Sequence, residues 1–138
     1  MKWLFKILVL LFVISPFSVA VASGLGVCQK VFTVSASALA NKEKGVTKEK
    51  LLGALPLLEK APNSEPLRSM HEIVEEVYNF DIQDKFVYSV YRTELCVRRV
   101  SGKPVPNDFS KVYPVLESCS GKVQNVKTNC AMHAAGSY

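Results

Sequence analysis

Two cysteines, Cys28 and Cys96, bracket the part of the chain in which the sequence predicts four helices. Two more, Cys119 and Cys130, follow in the C-terminal part. Four cysteines allow three pairings, and we favour Cys28–Cys96 with Cys119–Cys130. The first bridge would tie the start of the first helix to the end of the fourth, and the second would close a short loop. Loop entropy gives them about 4 and about 3 kcal/mol of stabilisation, before any strain.

A metal site is the competing interpretation of these cysteines. It needs clustered Cys and His ligands, usually with a Cys-x-x-Cys spacing, and that spacing is absent here. The two histidines are His71 and His133, and the three-residue separation of Cys130 and His133 is common by chance. We therefore predict two disulfides, no metal and no cofactor.

The N-terminal residues have the pattern of a secretory signal peptide. Lysines at the start precede an apolar run over residues 7–14, and small residues follow up to Ala22. We predict that residues 1–22 are removed and that the protein is periplasmic or secreted. The apolar run is shorter than the about 20 residues that a membrane span needs, so no stable span is expected after cleavage. The alternatives are an uncleaved anchor and lipidation of Cys28, for which the preceding Val27 is a poor fit.

Residues 23–99 are predicted to form one helical domain. Apolar residues at helical spacing predict a first helix over residues 27–44, ended by Gly45. Thr47 is a good N-cap for a second helix, whose leucine stripe is interrupted by Pro56. Small residues near Ser35 would let a neighbouring helix approach the first one closely.

A third helix is predicted after Ser64, which we expect to be its N-cap. One face is apolar, and the other carries acidic residues that we interpret as a solvated surface. His71 and Glu75 are spaced as neighbours on this helix, as are Glu72 and Glu76. An acid–base pair or cation site is the functional alternative, but no further ligand is identifiable. We likewise interpret His133 as a plain surface histidine.

The fourth segment, residues 81–97, is apolar around most of its circumference and is predicted to be the central helix. Its β-branched and aromatic residues would also suit a strand over residues 86–97. Helix is favoured because no tight hairpin turn or partner strand lies nearby. The aromatic residues here could line a ligand pocket, although core packing is the preferred interpretation, and Tyr88 is the best candidate for exposure. These aromatics are Tyr78, Phe80, Phe86, Tyr88 and Tyr91.

Residues 100–138 are predicted to form a basic, irregular tail closed by a disulfide. Asp108 is a candidate cap for a short helix that Pro114 should limit, and the stretch from Cys119 to Cys130 is expected to be a polar loop. The residues after it are expected to be loosely ordered, as chain ends usually are. Six basic and two acidic residues follow Cys96, whereas residues 23–96 are nearly neutral. This asymmetry would suit an acidic partner, an anionic membrane surface or a polyanion, although a solvated tail is the preferred interpretation.

With these residues laid out, the segment from Cys28 to Cys96 resembles a group of small exported bacterial proteins of unknown function. The group has a cysteine that opens a helix, a basic residue with Gly-x-Ser/Thr before a second helix, and a Val-Tyr pair that ends a third. A second cysteine follows a tyrosine near the end of a fourth helix. The corresponding residues here are Cys28, Lys44-Gly45-Val46-Thr47, Val77-Tyr78, Tyr91 and Cys96. The resemblance covers about half of the chain and implies an all-helical domain with a Cys28–Cys96 bridge, but no activity or site.

The sequence contains no serine-nucleophile, zinc-protease or phosphate-loop motif. We therefore predict an all-α bundle that acts as a non-enzymatic binding protein of the cell envelope, with a protein or small ligand as partner. Candidate partner-binding residues are Arg98, Arg99, Lys122 and Lys127. Alternatives are an inhibitor that inserts the Cys119–Cys130 loop into an envelope enzyme, and a small-ligand carrier. An exported chain without an aromatic-studded basic patch is not expected to bind nucleic acid.

Overall fold

A computed structural model describes residues 17–137, with side chains from residue 26 onward. This part of the chain is 70% helical, with six α-helices and no strand, so the predicted all-α class is confirmed. The helices are α1 (Phe17–Glu43), α2 (Lys48–Gly53), α3 (Leu67–Asn79), α4 (Lys85–Val100), α5 (Phe109–Cys119) and α6 (Gln124–Ala134), with a 3₁₀ turn at Leu58–Lys60. The charged and apolar start of the predicted signal peptide lies outside the described residues.

Helix α1 begins at Phe17, earlier than the predicted start at residue 27, and the predicted cleavage position after Ala22 lies within it. Cleavage itself stays a prediction. The helix packs most extensively against α4 and next against α3. Ser35 is completely buried and donates a hydrogen bond to the Val31 carbonyl over 2.9 Å, which satisfies its hydroxyl within its own helix. Small buried residues therefore allow the close approach that the sequence predicted.

The turn between α1 and α2 is fastened to the end of α3. Lys42 Nζ donates to the carbonyl oxygens of Val77 at 2.7 Å and Phe80 at 3.1 Å. Both carbonyls lie where the end of α3 leaves backbone acceptors without helical partners, so a cation is favourable there. Tyr78 OH donates to the Val46 carbonyl across the same junction. These bonds explain how the Lys-Gly-x-Thr and Val-Tyr segments, distant in sequence, come together.

Local capping signals set the start of some helices but not of α3. The hydroxyl of Thr47 accepts from the Lys50 amide at 3.3 Å, as expected of an N-cap, and Gly45 adopts φ 77° just after α1. The prediction that Ser64 caps α3 is wrong, because α3 begins at Leu67 after Pro66 without a cap from that side chain. The Glu65 carboxylate supplies an acceptor instead, since the Ser69 amide donates to it over 3.3 Å.

Helix α4 is the centre of the fold, and the helical prediction for this segment is confirmed. Asp84 accepts hydrogen bonds from the amides of Phe86 and Val87 at 3.1 and 3.0 Å, which fixes the start of the helix. Helices α1, α3, α5 and α6 all pack against it. Its buried residues are Val87, Tyr88, Ser89, Tyr91, Arg92, Leu95 and Cys96.

The C-terminal part is not an irregular tail, which corrects the sequence prediction. Asp108 caps α5 as expected, but the helix continues through Pro114 to Cys119. The predicted polar loop and loosely ordered end are occupied by α6, which packs on α4 and α5. Three alanines near its end are fully buried in the same core as α4, and they are Ala131, Ala134 and Ala135. The core is therefore continuous across the predicted boundary at residue 99.

Both predicted disulfides are present. Cys28 and Cys96 have Cα atoms 5.6 Å apart and join α1 to the last turns of α4. Cys119 and Cys130 have Cα atoms 5.7 Å apart and join α5 to α6. No free cysteine remains in the part of the chain that the structure describes. Paired cysteines of this kind are typical of a protein that folds in an oxidising compartment.

Candidate functional site

The four basic residues singled out in the sequence do not form one patch. Arg99 Nη1 lies 2.7 Å from Glu72 Oε2 and 3.3 Å from Glu65 Oε1, and its side chain is mostly buried. Lys127 Nζ lies 2.6 Å from the carboxylate of Asp84. Because Asp84 and Arg99 lie at opposite ends of α4, the two cations are separated by about 22 Å along the helix. Both serve as internal ion-pair partners.

The other two candidates differ from each other. Arg98 Nε donates to the Pro104 carbonyl at 3.0 Å, and its guanidinium packs over Gly136 near the end of the described chain. It therefore ties the connection after α4 to the segment after α6. Lys122 is exposed in the turn between α5 and α6. Of the four, Lys122 is the one whose charge is turned outward.

The bridged helices α5 and α6 expose apolar side chains near that lysine. Val115 and Val126 each precede a cysteine of the Cys119–Cys130 bridge by four residues, so each lies about one helical turn from the disulfide. Val123 immediately precedes α6, and its side chain is 68% exposed. Lys111, one further turn before Val115, is also exposed. We call the group of Lys111, Val115, Lys122, Val123 and Val126 the hairpin surface.

A buried charge network between α3 and α4 was missed in the sequence. Arg92 is 1% exposed. Its Nη1 donates to Glu76 Oε1 at 3.0 Å and its Nη2 donates to Glu72 Oε2 at 2.8 Å. Tyr88, also 1% exposed, donates from its hydroxyl to the second oxygen of Glu76 at 2.7 Å. Glu72 and Glu76, interpreted as part of a solvated face, therefore point at a buried arginine, whereas Glu75 of the same face is exposed as expected. Tyr88, expected to be exposed, belongs to the core.

Burial and the neighbouring cations have opposite effects on the pKa values of these acids. Burial alone would raise the pKa of Glu72, but the guanidinium groups of Arg92 and Arg99 outweigh it and lower the pKa to about 2. For Glu76, burial prevails over the attraction of Arg92 and raises the pKa above its ordinary value. Burial, helped by the Glu76 charge, also raises the pKa of Tyr88. Glu72 therefore keeps its negative charge to a lower pH than Glu76 does.

Clustered groups with shifted pKa values are typical of active sites as well as of structural ion pairs. In this cluster the acceptors are already occupied. Glu72 Oε1 accepts from Arg68 and Arg99 at 3.0 Å each, and Oε2 accepts from Arg92 at 2.8 Å and Arg99 at 2.7 Å. A carboxylate held by four donors is poorly placed to take a proton from a substrate. The arrangement is suited to fixing α3 against α4.

The sequence pattern that could have revealed this network is complementary charge at helical spacing on two helices. On α4, Tyr88, Arg92 and Arg99 lie at spacings that place them on one side of a helix. On α3, Glu72 and Glu76 share one side in the same way. An arginine among the apolar residues of one helix side and two acids four residues apart on another helix are complementary. Recognising them as partners requires knowing that α3 and α4 adjoin.

The aromatic residues near the start of α4 pack against aromatic side chains of neighbouring helices. Phe80 packs edge-on against Phe109 with ring centroids 4.8 Å apart, and Phe86 meets Phe32 at 6.2 Å. A cleft between α4 and α5 is lined partly by Tyr88 and Phe109 and encloses about 200 Å³, including its open mouth. That is less than the roughly 300–1,000 Å³ usual for ligand pockets. The carrier alternative gains no support from this cleft.

The two histidines have structural contacts of their own. His71 Nε2 lies 2.8 Å from the Pro56 carbonyl oxygen, which links α3 to the chain after α2. His133 is exposed beside Ser137. Within residues 17–137, no three His, Cys, Asp or Glu side chains are grouped so that they could hold a metal ion.

Comparisons with protein-family models, curated proteins and solved structures found no match for this chain. Its own geometry is therefore the basis for a functional proposal. None of the helices in the described range has both the length and the apolar character required to cross a bilayer. The surface feature that stands out is the hairpin surface, where apolar side chains are held outward beside a disulfide.

Proposed function

We propose that this protein is a non-enzymatic binding protein of the cell envelope, periplasmic or secreted, and that it binds a partner protein through the hairpin surface. The observation that carries the proposal is the outward position of Val115, Val123 and Val126 around the Cys119–Cys130 bridge. Exposed apolar groups of this kind mark interaction sites when they are clustered. The signal-peptide pattern and the two disulfides support an exported location.

Charge indicates the chemistry of the partner. The exposed charges of the hairpin surface are the ammonium groups of Lys111, which lies 4.0 Å from the carboxylate of Asp108, and of Lys122. The one acid in α5 and α6, Glu117, is partly buried beside the cleft. A complementary surface would offer an apolar depression for Val123 with carboxylates around it. The bridge favours binding because helices already held in place lose less conformational freedom on association.

Point variants test this proposal better than removal of the C-terminal part. Deleting residues 101–138 would expose the core, because Ala131 and Ala134 are completely buried. We suggest using the oxidised protein, exported by its own N-terminal segment, as bait in an envelope extract of the producing cells. The test variants are Val123→Asp and Lys122→Glu. Val100→Asp is the matched control, since Val100 is an exposed valine at the far end of α4.

A specific partner should be captured by the native protein and by Val100→Asp but not by Val123→Asp. After identification by mass spectrometry it should be purified and titrated against each variant. We expect saturable binding that Val123→Asp weakens by about tenfold or more, as for a central apolar contact. Lys122→Glu should weaken it most at low salt. Equal capture by both aspartate variants, or no capture by the native protein, would contradict the proposal.

An inhibitor of an envelope enzyme is the second candidate, and one observation favours it. The turn before α6 holds an exposed lysine, Lys122, next to Val123, the most exposed of the large apolar side chains described. Flanking helices that are joined by a disulfide present this turn as a preformed element for insertion into a cleft. If the captured partner is an enzyme, the native protein should inhibit it at a one-to-one ratio and Val123→Asp should not. Full activity in the bound state would exclude inhibition.

A further inference from the structure

The cleft between α4 and α5 combines aromatic rings with polar groups. Phe109, Tyr113 and Glu117 of α5 line it, together with Ser120 just after that helix. These residues follow one another at spacings of four, four and three, so they lie on one side of α5. Tyr88 lines the cleft from α4. Aromatic walls with a few polar groups are the usual composition of a site that binds a small molecule.

Glu117 gives this cleft a negative charge that no neighbouring base balances. Within residues 26–137, every other partly buried carboxylate has a lysine or arginine nitrogen within 4.0 Å, and Glu117 has none. Asp84 also lines the cleft, but its carboxylate lies 2.6 Å from Lys127 Nζ. A partly buried charge without a counter-ion is unfavourable, so a cation bound beside Glu117 would be stabilised.

The hydroxyl of Ser120 is a second group without a partner in the same cleft. Its oxygen is buried and makes no hydrogen bond to any residue in the part of the chain that the structure describes. Native proteins leave few buried polar groups unpaired, so each one requires an explanation. A hydroxyl oxygen can accept a hydrogen bond from an N–H group. Ser120 follows Glu117 by three residues, so the two acceptors are about one helical turn apart.

The aromatic rings favour an organic cation over a metal ion. The ring centroids of Tyr88 and Phe109 are 5.9 Å apart, and those of Phe109 and Tyr113 are 6.1 Å apart. The faces of aromatic rings attract ammonium groups. A divalent metal ion would instead need several oxygen ligands, and Glu117 is the one carboxylate lining this cleft that is not already paired.

The electrostatic surroundings of the cleft also favour a cation. Burial and then the negative charges of Glu117 and Asp81 raise the pKa of Tyr113. The Tyr113 hydroxyl donates to the Asp81 carbonyl oxygen at 2.7 Å, which holds its ring in place. Two acids therefore act on a group that lines the cleft, while the nearby ammonium of Lys127 is engaged by Asp84.

We infer that the cleft between α4 and α5 is a binding site for a small primary amine in its ammonium form. The N–H groups of the ammonium would donate to the Glu117 carboxylate and the Ser120 hydroxyl, and the alkyl part would lie against the rings of Phe109 and Tyr113. The cleft encloses about 200 Å³ with its mouth, so the amine is limited to a few non-hydrogen atoms. The inference is independent of the proposed function, because it needs no partner protein.

Titration of the isotope-labelled, oxidised protein with ethylammonium chloride tests the inference, with backbone amide NMR signals as the readout. Sodium chloride keeps the ionic strength constant, so that screening does not change during the titration. Very small ligands reach only a limited affinity, and we therefore expect saturable shifts with a dissociation constant in the millimolar range. The largest shifts should occur at the amides of Tyr113, Glu117 and Ser120.

Conservative variants separate a specific site from general attraction of cations. Glu117→Gln removes the charge at nearly unchanged size and should raise the dissociation constant by about tenfold or more, because a charge-assisted hydrogen bond is lost. Ser120→Ala should raise it by about threefold to tenfold. The matched control is Glu94→Gln, since Glu94 is a partly buried acid of α4 that does not line the cleft. It should bind like the native protein, and dispersed amide signals check that all variants are folded.

Tetramethylammonium chloride tests the chemical class of the ligand. It carries the same charge as ethylammonium but has no N–H group, so it should bind at least about tenfold more weakly. Four results would each overturn the inference. They are ethylammonium shifts that do not saturate or that lie away from the cleft, equal dissociation constants for Glu117→Gln and Glu94→Gln, native affinity in Ser120→Ala, and binding of tetramethylammonium as tight as that of ethylammonium.

Discussion

Arg92 on α4 donates a hydrogen bond to Glu76 on α3 over 3.0 Å, at a place where neither side chain is substantially exposed. A buried charge is tolerated only with partners, because removal from water costs several kcal/mol per ion. The same guanidinium also donates to Glu72, so one cation pairs with two acids that are one helical turn apart. Sliding α3 by a turn would separate these groups, and the network therefore fixes the alignment of α3 with α4.

Replacing Arg92 with methionine should destabilise the protein strongly. The change leaves Glu76 buried without its cation, and loss of one member of a buried pair costs about 3–5 kcal/mol. Urea denaturation followed by circular dichroism measures the free energy of unfolding. The control is Arg68→Met, because Arg68 pairs with Glu72 near the surface at 3.0 Å and should cost less than about 1 kcal/mol. Equal decreases in the free energy of unfolding of the two variants would show that burial of Arg92 is unimportant.

Glu72 should make stability depend on pH in the acid range. Its pKa is about 2 in the folded protein against an ordinary value of 4.5. A lowered folded-state pKa stabilises the protein above the unfolded-state value, and this contribution is lost as pH falls from about 4.5 towards 2. Its full size is at most about 3 kcal/mol, since the side chain is partly exposed. The raised pKa of Glu76 acts with the opposite sign, because its contribution is present at acid pH and lost as pH rises.

The variant Glu72→Gln isolates the contribution of this carboxylate. At neutral pH it should be less stable than the native protein by up to about 3 kcal/mol. The difference should shrink as the pH is lowered through the window given above, because both proteins then lack the charge. Denaturation at a series of pH values measures it. A difference that stays constant between pH 4.5 and 2 would contradict the pKa assignment for Glu72.

Enlarging a buried alanine tests the position of α6. Ala134 is completely buried, so Ala134→Leu should overpack the core and lower the free energy of unfolding by about 1–3 kcal/mol. Met132 lies two residues earlier on the same helix and is exposed, and Met132→Leu should change stability by less than about 0.5 kcal/mol. Thermal denaturation of the two variants gives the comparison. If Ala134→Leu were harmless, the C-terminal residues would not belong to the core.

Lys42 should stabilise the end of α3, although it belongs to α1. The variant Lys42→Met keeps the aliphatic stem but leaves the Val77 and Phe80 carbonyls without their donor. We expect a loss of about 1–3 kcal/mol and faster amide exchange in the last turn of α3. Lys44→Met is the control, since that lysine is exposed. Unchanged exchange in α3 with Lys42→Met would show that water replaces the lysine without cost.

Much of the fold could be predicted because its signals are local. Thr47 and Asp108 are caps with hydrogen-bonding side chains, and such caps need no knowledge of the tertiary structure. Helix α6 was missed because its buried side chains are alanines between polar residues, which gives no apolar stripe of the usual kind. The continuation of α5 beyond Pro114 was missed because neighbouring packing, not local preference, sustains it.

The candidate site was harder to predict because it depends on which helices adjoin. Glu72 and Glu76 on α3 look like part of a solvated face until α4 is placed beside them with Arg92 directed inward. Counting charges also overstated the basic character of the C-terminal part, since Arg99 and Lys127 are neutralised by acids more than 25 residues away in the chain. Ion pairs between residues so far apart in the chain leave no local sequence pattern. The disulfides were predictable because the expected export, together with the absence of a metal-ligand spacing, left two bridges as the simplest use of four cysteines.

The two disulfides differ in how accessible their sulfur atoms are. Cys28 and Cys96 are both completely enclosed, whereas Cys130 is only partly buried. Thiol–disulfide exchange requires a thiolate to reach a sulfur atom along the bond, so the exposed end of the second bridge is the point of attack. Mild reductant should therefore open the connection between α5 and α6 while α1 remains covalently attached to α4. Reduction of this bridge gives two thiols, and because Cys119 is completely buried, only the thiol of Cys130 is open to selective labelling, with the main covalent frame kept.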